Sequence, residues 1–478
     1  MSYPELKMLI NGEWTDGSSG TNEPVLCPAD GSIIGTLPHA GPADLDMALQ
    51  SSLEGFNIWR KKTPHERQAV LEKAARQLDD SFESISANLT REMGKPIGEA
   101  RIELRVAIDL LRWYAEEGKR VYGRIIPSRF PNMQHEARKL PVGPVVAFVA
   151  WNFPAVNVMR KVAGALAAGC SITIKPSEET PATAIAIGRA LTDAGLPAGV
   201  LNIVFGVPPE VSEHLLSSTI PRKLSFTGSV PVGIHLQKLA AKNMMRCTME
   251  LGGHSPVMVF DDCDIETAAK LCTAGKFRNA GQVCISPTRF FVQENIHDKF
   301  LKLFKEHVEG MRVGNGLDEQ MSMGPLVAER RIDIMDGFVS DAVSKGAELL
   351  VGGEAIQSEG SFFAPTLLQE VPDTAKIMNE EPFGPIAPTA RFTSLDEVIE
   401  RANSLQFGLA AYAFTGSAKT AGVLKQEIET GMLAINSLHV HSVETPFGGL
   451  KFSGYGYEGG IEGLEVFLAT RYSSETYG

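Results

Sequence analysis

The stretch Leu140–Ala150, LPVGPVVAFVA, reads as a buried strand. Residues 155–169 then follow helical spacing, with Val158, Val162, Ala165, Leu166 and Gly169 on one face. The alternation continues. SITIKP (171–176) is the next strand, and a helix starts near Pro181 and ends at Gly195, with proline early and glycine late. LNIVFG (201–206), a short helix, KLSFTGS (223–229) and a helix to about Lys242 extend the series. Strands and helices alternating in this way specify a parallel sheet with right-handed crossovers, hence a doubly wound α/β fold. Such sheets hold ligands at the carboxyl ends of their strands.

A second α/β run begins near MELGGHSPVMVF (249–260). Its helix at 296–309 carries a stripe of Ile296, Phe300, Leu303, Phe304 and His307, with His307 read as the edge of a core face. Residues 122–141 and the tail from 451 interrupt the alternation with strand-like pieces that lack helix caps. Pieces of this kind pair with the sheet edge of another copy.

Composition narrows the function. With 44% hydrophobic and 21% charged residues, the chain is globular and long enough for at least two domains. A net charge of −12 argues against a nucleic-acid or acidic-membrane partner. The start, MSYPELKMLINGEW, shows no basic segment followed by an apolar run, and no stretch reaches the roughly 20 apolar residues of a membrane helix. Six cysteines (27, 170, 247, 263, 272 and 284) form no CxxC pair, so neither a disulfide framework nor structural zinc is expected. A reducing, cytoplasmic setting fits. His254, His439 and His441 come without a matching carboxylate or cysteine pattern, so no metal site is expected.

Several loops fall where chemistry belongs. Asn152 in AWNFP closes a strand, where its amide can donate to a developing oxyanion or cap the next helix. In KPSEETP (175–181), Lys175 and Glu178 can grip the hydroxyls of a ribose, or simply pair with each other. FTGSVPVG (226–233) starts a helix whose free amides, with the Ser229 hydroxyl, can hold a pyrophosphate; the plain alternative is a glycine turn. Glu250, between Met249 and Leu251, should be desolvated, which raises its pKa toward general-base values. Cys284 sits in GKFRNAGQVCISP (275–287), between small polar residues and a proline, which suits an accessible nucleophile better than a core residue. GYGYEG (454–459) matches a dinucleotide glycine pattern but follows no apolar strand, and GSVPVGIH (228–235) lacks the Lys-Ser/Thr of a P-loop. Both are set aside.

Taken together, AWNFP, KPSEETP, FTGSVPVG, MELGGHSP, GQVCISP, EEPFGP and PFGGLKFSG, in that order, resemble the aldehyde dehydrogenase superfamily over essentially the whole chain. The separation of Glu250 and Cys284, 284 − 250 = 34 residues, also matches. The resemblance implies an α/β fold: a doubly wound cofactor domain (1–121 and 142–248), an α/β catalytic domain (249–450) and a β-strand oligomerisation arm (122–141 and 451–478) building a homodimer or homotetramer. Cys284 would be the nucleophile, Glu250 the base that activates water, and Asn152 the oxyanion donor. NAD, or alternatively NADP, would be held by Trp151, Lys175, Ser177, Glu178, Gly228, Ser229 and Leu251. Glu381 would hold the nicotinamide ribose, with Phe383 behind the ring. Ala150 replaces the family's usual proline, and Ile285 and Ser286 leave no second cysteine beside the first. A relative that passes the acyl group to CoA, a non-catalytic relative and a cofactor-free cysteine hydrolase are the competing readings. Each leaves Glu250, Cys284 or the cofactor loops without a role.

Two arginines bear on the substrate. Arg160 has no acidic residue one turn away in its helix, its neighbours there being Val156 and Gly164, and Arg278 precedes Cys284 by six residues. With Ser442 they resemble the carboxylate-binding set of succinate-semialdehyde dehydrogenases. KFRNAGQVCISPTRF and SGYGYEGG also resemble 2-oxoglutarate-semialdehyde dehydrogenases, so a four- or five-carbon semialdehyde is expected, with glutarate semialdehyde or a neutral aldehyde as alternatives.

Overall fold

The computed structural model describes residues 3–477. Two sheets dominate. The first contains β1 (Met8–Ile10), β2 (Glu13–Thr15), β3 (Val145–Phe148), β4 (Ile172–Lys175), β5 (Leu201–Ile203), β6 (Lys223–Thr227) and β7 (Arg246–Glu250). Across the sheet they run β2-β1-β5-β4-β3-β6-β7, followed by the two-residue strand Gly454–Tyr455. β3 to β7 are mutually parallel, and the hairpin of β1 and β2 closes one edge antiparallel. The chain order reverses between β3 and β6, so a crevice opens there at the strands' carboxyl ends.

The second sheet contains β8 (Ser255–Val259), β9 (Pro287–Gln293), β10 (Glu348–Val351), β11 (Thr366–Gln369), β12 (Ile386–Phe392), β13 (Ala410–Phe414) and β14 (Met432–Ile435). Its order is β10-β11-β12-β9-β8-β13-β14, parallel except for β10. Each sheet has its own apolar core, and Phe153 packs against both. A third sheet joins Leu468–Thr476, Met133–Pro141 and Arg124–Ile126 in that order, all antiparallel.

Three details differ from the sequence reading. Leu140 and Pro141 finish a strand of the third sheet, and the buried strand begins only after the Gly143-Pro144 break. β7 belongs to the first sheet, so the expected boundary at 248/249 falls inside a strand, and Gly454–Tyr455 pairs with its outer edge. An unpaired parallel edge would leave backbone groups unsatisfied, and the short strand covers it. In the helix His297–Glu309 the buried stripe runs Phe300, Phe304, Val308, leaving His307 exposed, because steps of four from Phe300 reach Val308.

The helix Pro154–Ala168 follows β3, and every one of its residues is buried, Arg160 and Lys161 included. Charges carried into the interior need partners. Those two find theirs around the crevice. Among the described residues no helix is long and apolar enough to cross a membrane.

Candidate active site

A cavity of about 290 Å³ lies in the crevice, walled by Trp151 and Asn152 after β3, Thr227, Gly228 and Ser229 after β6, Glu250 and Leu251 after β7, and Cys284. Glu381, Phe383, Arg331, Asn157, Arg160, Phe447 and Glu458 complete the wall. The first sheet thus supplies Glu250 and Asn152, and the loop into β9 of the second sheet supplies Cys284.

The Cys284 loop explains its own sequence. After the helix Ile265–Phe277 the backbone turns left-handed at Asn279 (φ 50°), Ala280 (φ 53°) and Gly281 (φ 72°). A Cβ on Gly281 would stand 2.1 Å from the Gly384 carbonyl oxygen. That turn brings Cys284 against the Gly252-Gly253 pair, where a Cβ on Gly253 would stand 2.6 Å from the Cys284 carbonyl oxygen. The Tyr412 hydroxyl donates to the Ile285 carbonyl at 2.6 Å, fixing the loop from beneath. Asn152 Nδ2 donates to the Gln282 carbonyl at 3.1 Å, and Asn157 Nδ2 donates to Asn152 Oδ1 at 3.3 Å.

The charges around the thiol are strongly perturbed. Glu250 is 3% exposed, and neither carboxylate oxygen has a hydrogen-bond partner among the described residues. Burial, with the nearby Glu458, raises its pKa well above the ordinary range, while Lys161 and Arg160 pull it down. Glu458 itself is buried and paired with Lys161, which also donates to Thr227 Oγ1 at 2.6 Å. Burial pushes the half-buried Cys284 thiol up to about 12; Glu381 and Glu250 add to the rise, and Arg160 and Arg278 oppose it.

A second cavity of about 150 Å³ meets the same thiol on the other side. Its walls are Phe153, Phe447, Val156, Ile102, Val106, Val283 and Ile285, with the polar groups Arg160, Arg278, Asn157, His441, Glu99 and Glu103. The Nε atoms of Arg160 and Arg278 are buried without a partner among the described residues. Arg160 is not wholly unpaired, as its helix had suggested. Its Nη1 lies 4.0 Å from Glu458 Oε2, and its guanidinium stacks 3.8 Å above the Phe447 ring. Ser442 does not line the cavity. Its amide donates to Thr445 Oγ1 at 2.9 Å within a local turn, and the neighbouring His441 occupies the wall instead. Burial and the two arginines push His441 down to about 3, so it stays neutral.

On the side of β4 and β6 a cavity of about 560 Å³ shares Trp151, Gly228 and Ser229 with the first and is lined by Lys175, Ser177 and Glu178. Lys175 and Glu178 form an ion pair at its wall. The helix Val230–Ala241 has no side chain capping its amino end, so its first amides are free toward the cavity mouth. Trp151 and Phe383 meet edge to face at 5.5 Å, and Glu381 Oε1 accepts the Gly253 amide at 3.1 Å. Burial raises Glu381 to about 7. An ion pair in the cavity wall, free helix amides and a buried carboxylate beside the thiol are groups that fit the hydroxyls and pyrophosphate of a dinucleotide. Among the described residues no three His, Cys, Asp or Glu side chains cluster as a metal site.

Sequence reasoning missed Lys161, Glu458, Phe447, Asn157 and His441. Phe447 and Glu458 lay in stretches already quoted, but nothing local marks a residue that reaches the site from the far end of the chain. The raised thiol yields a direct test. In the ligand-free protein, alkylation of Cys284 by iodoacetamide, followed by peptide mass spectrometry, should accelerate about tenfold per pH unit from 7 to 9, since thiolate grows tenfold per unit below the pKa. A plateau in that range would contradict the geometry.

The chain matches the model of the aldehyde dehydrogenase family over residues 14–472. It is 47% identical to 4-(hydroxymethyl)benzenesulfonate dehydrogenase TsaD1 of Comamonas testosteroni, over 98% of this chain and 97% of that one. It is 38% identical to the NADP(+) succinate-semialdehyde dehydrogenase GabD of Escherichia coli K12, over 97% and 96%. The crystal structure of succinate-semialdehyde dehydrogenase from Burkholderia pseudomallei superposes with a TM-score of 0.98 at 37% identity, covering 99% of this chain and 98% of that one. The chain belongs to the aldehyde dehydrogenase family, as an oxidoreductase that works with a nicotinamide dinucleotide.

Proposed function

We propose that this enzyme oxidises an aldehyde bearing an anionic group at its far end, through a thioester on Cys284 that Glu250-activated water hydrolyses. One observation carries the reading. Cys284 lines one cavity with the Glu250 carboxylate and a second with Arg278, Arg160 reaches both, and among the described residues neither Glu250 oxygen nor either arginine Nε has a hydrogen-bond partner.

Cys284 attacks the carbonyl carbon as the thiolate, its proton passing to solvent water, and the carbonyl π pair becomes the oxyanion. The Asn152 side-chain amide and the Cys284 backbone amide are the donors assigned to the oxyanion that develops. When bound, the nicotinamide supplies the acceptor for the hydride that the tetrahedral adduct releases. Lys175 and Glu178 would hold the adenosine ribose and the first amides of Val230–Ala241 the pyrophosphate, with Ser177 beside the ribose. Glu381 and Phe383 would bound the nicotinamide end, with Trp151, Leu251, Gly228 and Ser229 along the wall between. Glu250, its pKa raised by burial, retains a proton better than an ordinary carboxylate, which suits it to deprotonate water for hydrolysis. That role favours release as a free acid over transfer to CoA.

For the substrate, an ω-carboxylate semialdehyde such as succinate semialdehyde fits the two arginines, since guanidinium groups bind planar oxyanions through paired donors. A second reading is an aromatic aldehyde carrying a sulfonate. It is supported by the Phe153 and Phe447 rings flanking the cavity and by the benzenesulfonate in the name of the Comamonas relative.

NAD should be preferred to NADP. Glu178 accepts hydrogen bonds from a ribose 2′-hydroxyl, whereas a 2′-phosphate meets its charge, offset only in part by Lys175. The ratio of kcat/KM for the two cofactors should exceed about ten, a single charge-assisted hydrogen bond being worth roughly 1.5–3 kcal/mol. A ratio near one would remove Glu178 from the ribose. For the anion, Arg160→Ala and Arg278→Ala should each cut kcat/KM for succinate semialdehyde by roughly 1.5–3 kcal/mol more than for butanal. Comparing the two aldehydes isolates the anion contact, because Arg160 also acts on Cys284 itself. Equal losses on both aldehydes, or a wild type that prefers butanal, would defeat the anion reading.

A further inference from the structure

Lys95 lies in the turn between the helices Phe82–Met93 and Ile97–Glu117, and its side chain is 0% exposed. Its ammonium is paired with Glu103 and donates to the main-chain carbonyl of Asn152 at 2.8 Å, sitting 3.9 Å over the Phe153 ring. The other oxygen of Glu103 accepts the amides of Ala155 at 2.8 Å and Val156 at 3.4 Å. One ion pair therefore grips the turn from Asn152 to Val156 at both of its ends.

The same net reaches the nucleophile loop. Asn279 Nδ2 donates to the Asn152 carbonyl at 3.1 Å and to the Gln282 carbonyl at 3.3 Å, and the Gln282 carbonyl also accepts Asn152 Nδ2. Glu99, one turn before Glu103 on Ile97–Glu117, accepts the Asn279 amide at 2.9 Å. A single helix thus holds Asn152 through Glu103 and Lys95, and holds the residues ahead of Cys284 through Glu99. A buried ion pair adds little net stability over apolar side chains of equal volume. What it adds here is a fixed geometry.

We propose that Lys95 and Glu103 are positioning residues for the dehydrogenase reaction: their ion pair holds the Asn152 amide in register with Cys284, so that the oxyanion donor is in place when the thiol attacks. This rests on Asn152 being that donor. A misplacement of about 1 Å at such a donor can cost on the order of a hundredfold in rate.

The test compares the wild type, Lys95→Met/Glu103→Leu, Lys95→Gln and Asn152→Ala. Each is assayed with NAD and whichever of succinate semialdehyde and butanal the wild type turns over faster, together with a thermal melt. The double variant replaces the charges by apolar volume and should melt within a few degrees of the wild type. Its kcat should fall at least tenfold, with KM for aldehyde and cofactor within threefold. Lys95→Gln keeps a donor toward the Asn152 carbonyl and should fall between the two. A folded double variant with wild-type kcat would overturn the proposal. If the double variant does not fold, Lys95→Gln decides: an unchanged kcat overturns the proposal, and a reduced kcat at unchanged KM and melting point supports it. An Asn152→Ala variant with full activity would overturn the oxyanion assignment itself, and the inference with it.

Discussion

Everything at the site depends on how closely two chain segments approach, the Gly252-Gly253 pair after β7 and the carbonyl of Cys284. The first sheet ends its last long strand at Glu250, and the second sheet presents Cys284 from the loop before β9. Only a residue without a Cβ lets these loops touch, since one on Gly253 would fall 2.6 Å from the Cys284 carbonyl oxygen. That contact sets a carboxylate from one core beside a thiol from the other. The left-handed turn at Asn279–Gly281 serves the same end, redirecting the chain from a helix into the crevice. The backbone strain of two non-glycine residues there, of order 1 kcal/mol or more each, is offset by the hydrogen bonds that bind the loop to Asn152 and Gln282.

Burial does the electrostatic work. Burial pushes the Cys284 thiol up to about 12, so in the ligand-free protein it holds its proton at neutral pH. The same burial raises Glu250, so both groups hold protons more tightly than they would in water. Two guanidinium groups oppose the rise at the thiol, and they face the cavity assigned to the substrate's anion. The same two arginines therefore line the second cavity and lower the pKa of the thiol.

Much of this was legible in the sequence because it is local. Period-3.6 and apolar runs mark the parallel sheet, and AWNFP, FTGSVPVG, MELGGHSP and GQVCISP each end or begin an element at the crevice. What depends on distant pairing was not. Arg160 reads as unpaired from its helix alone because its partner Glu458 arrives from the far end of the chain, in the glycine-rich stretch GYGYEG. Ser442 reads as a partner of the two arginines, but it closes a local turn with Thr445, and His441 lines their cavity instead. The edge strand Gly454–Tyr455 was hidden for the same reason, since two residues carry no periodicity for a pattern to reveal.

In the proposed reaction Cys284 carries the acyl group and Glu250 releases it. The most direct measurement is the intact mass of the Cys284 peptide from Glu250→Gln, quenched in acid after mixing with NAD and aldehyde. This peptide should gain the mass of the acyl group, with about one equivalent of reduced cofactor per chain and only slow turnover afterwards. An unmodified Cys284 in a variant that turns over at the wild-type rate, or an adduct on another residue, would contradict it.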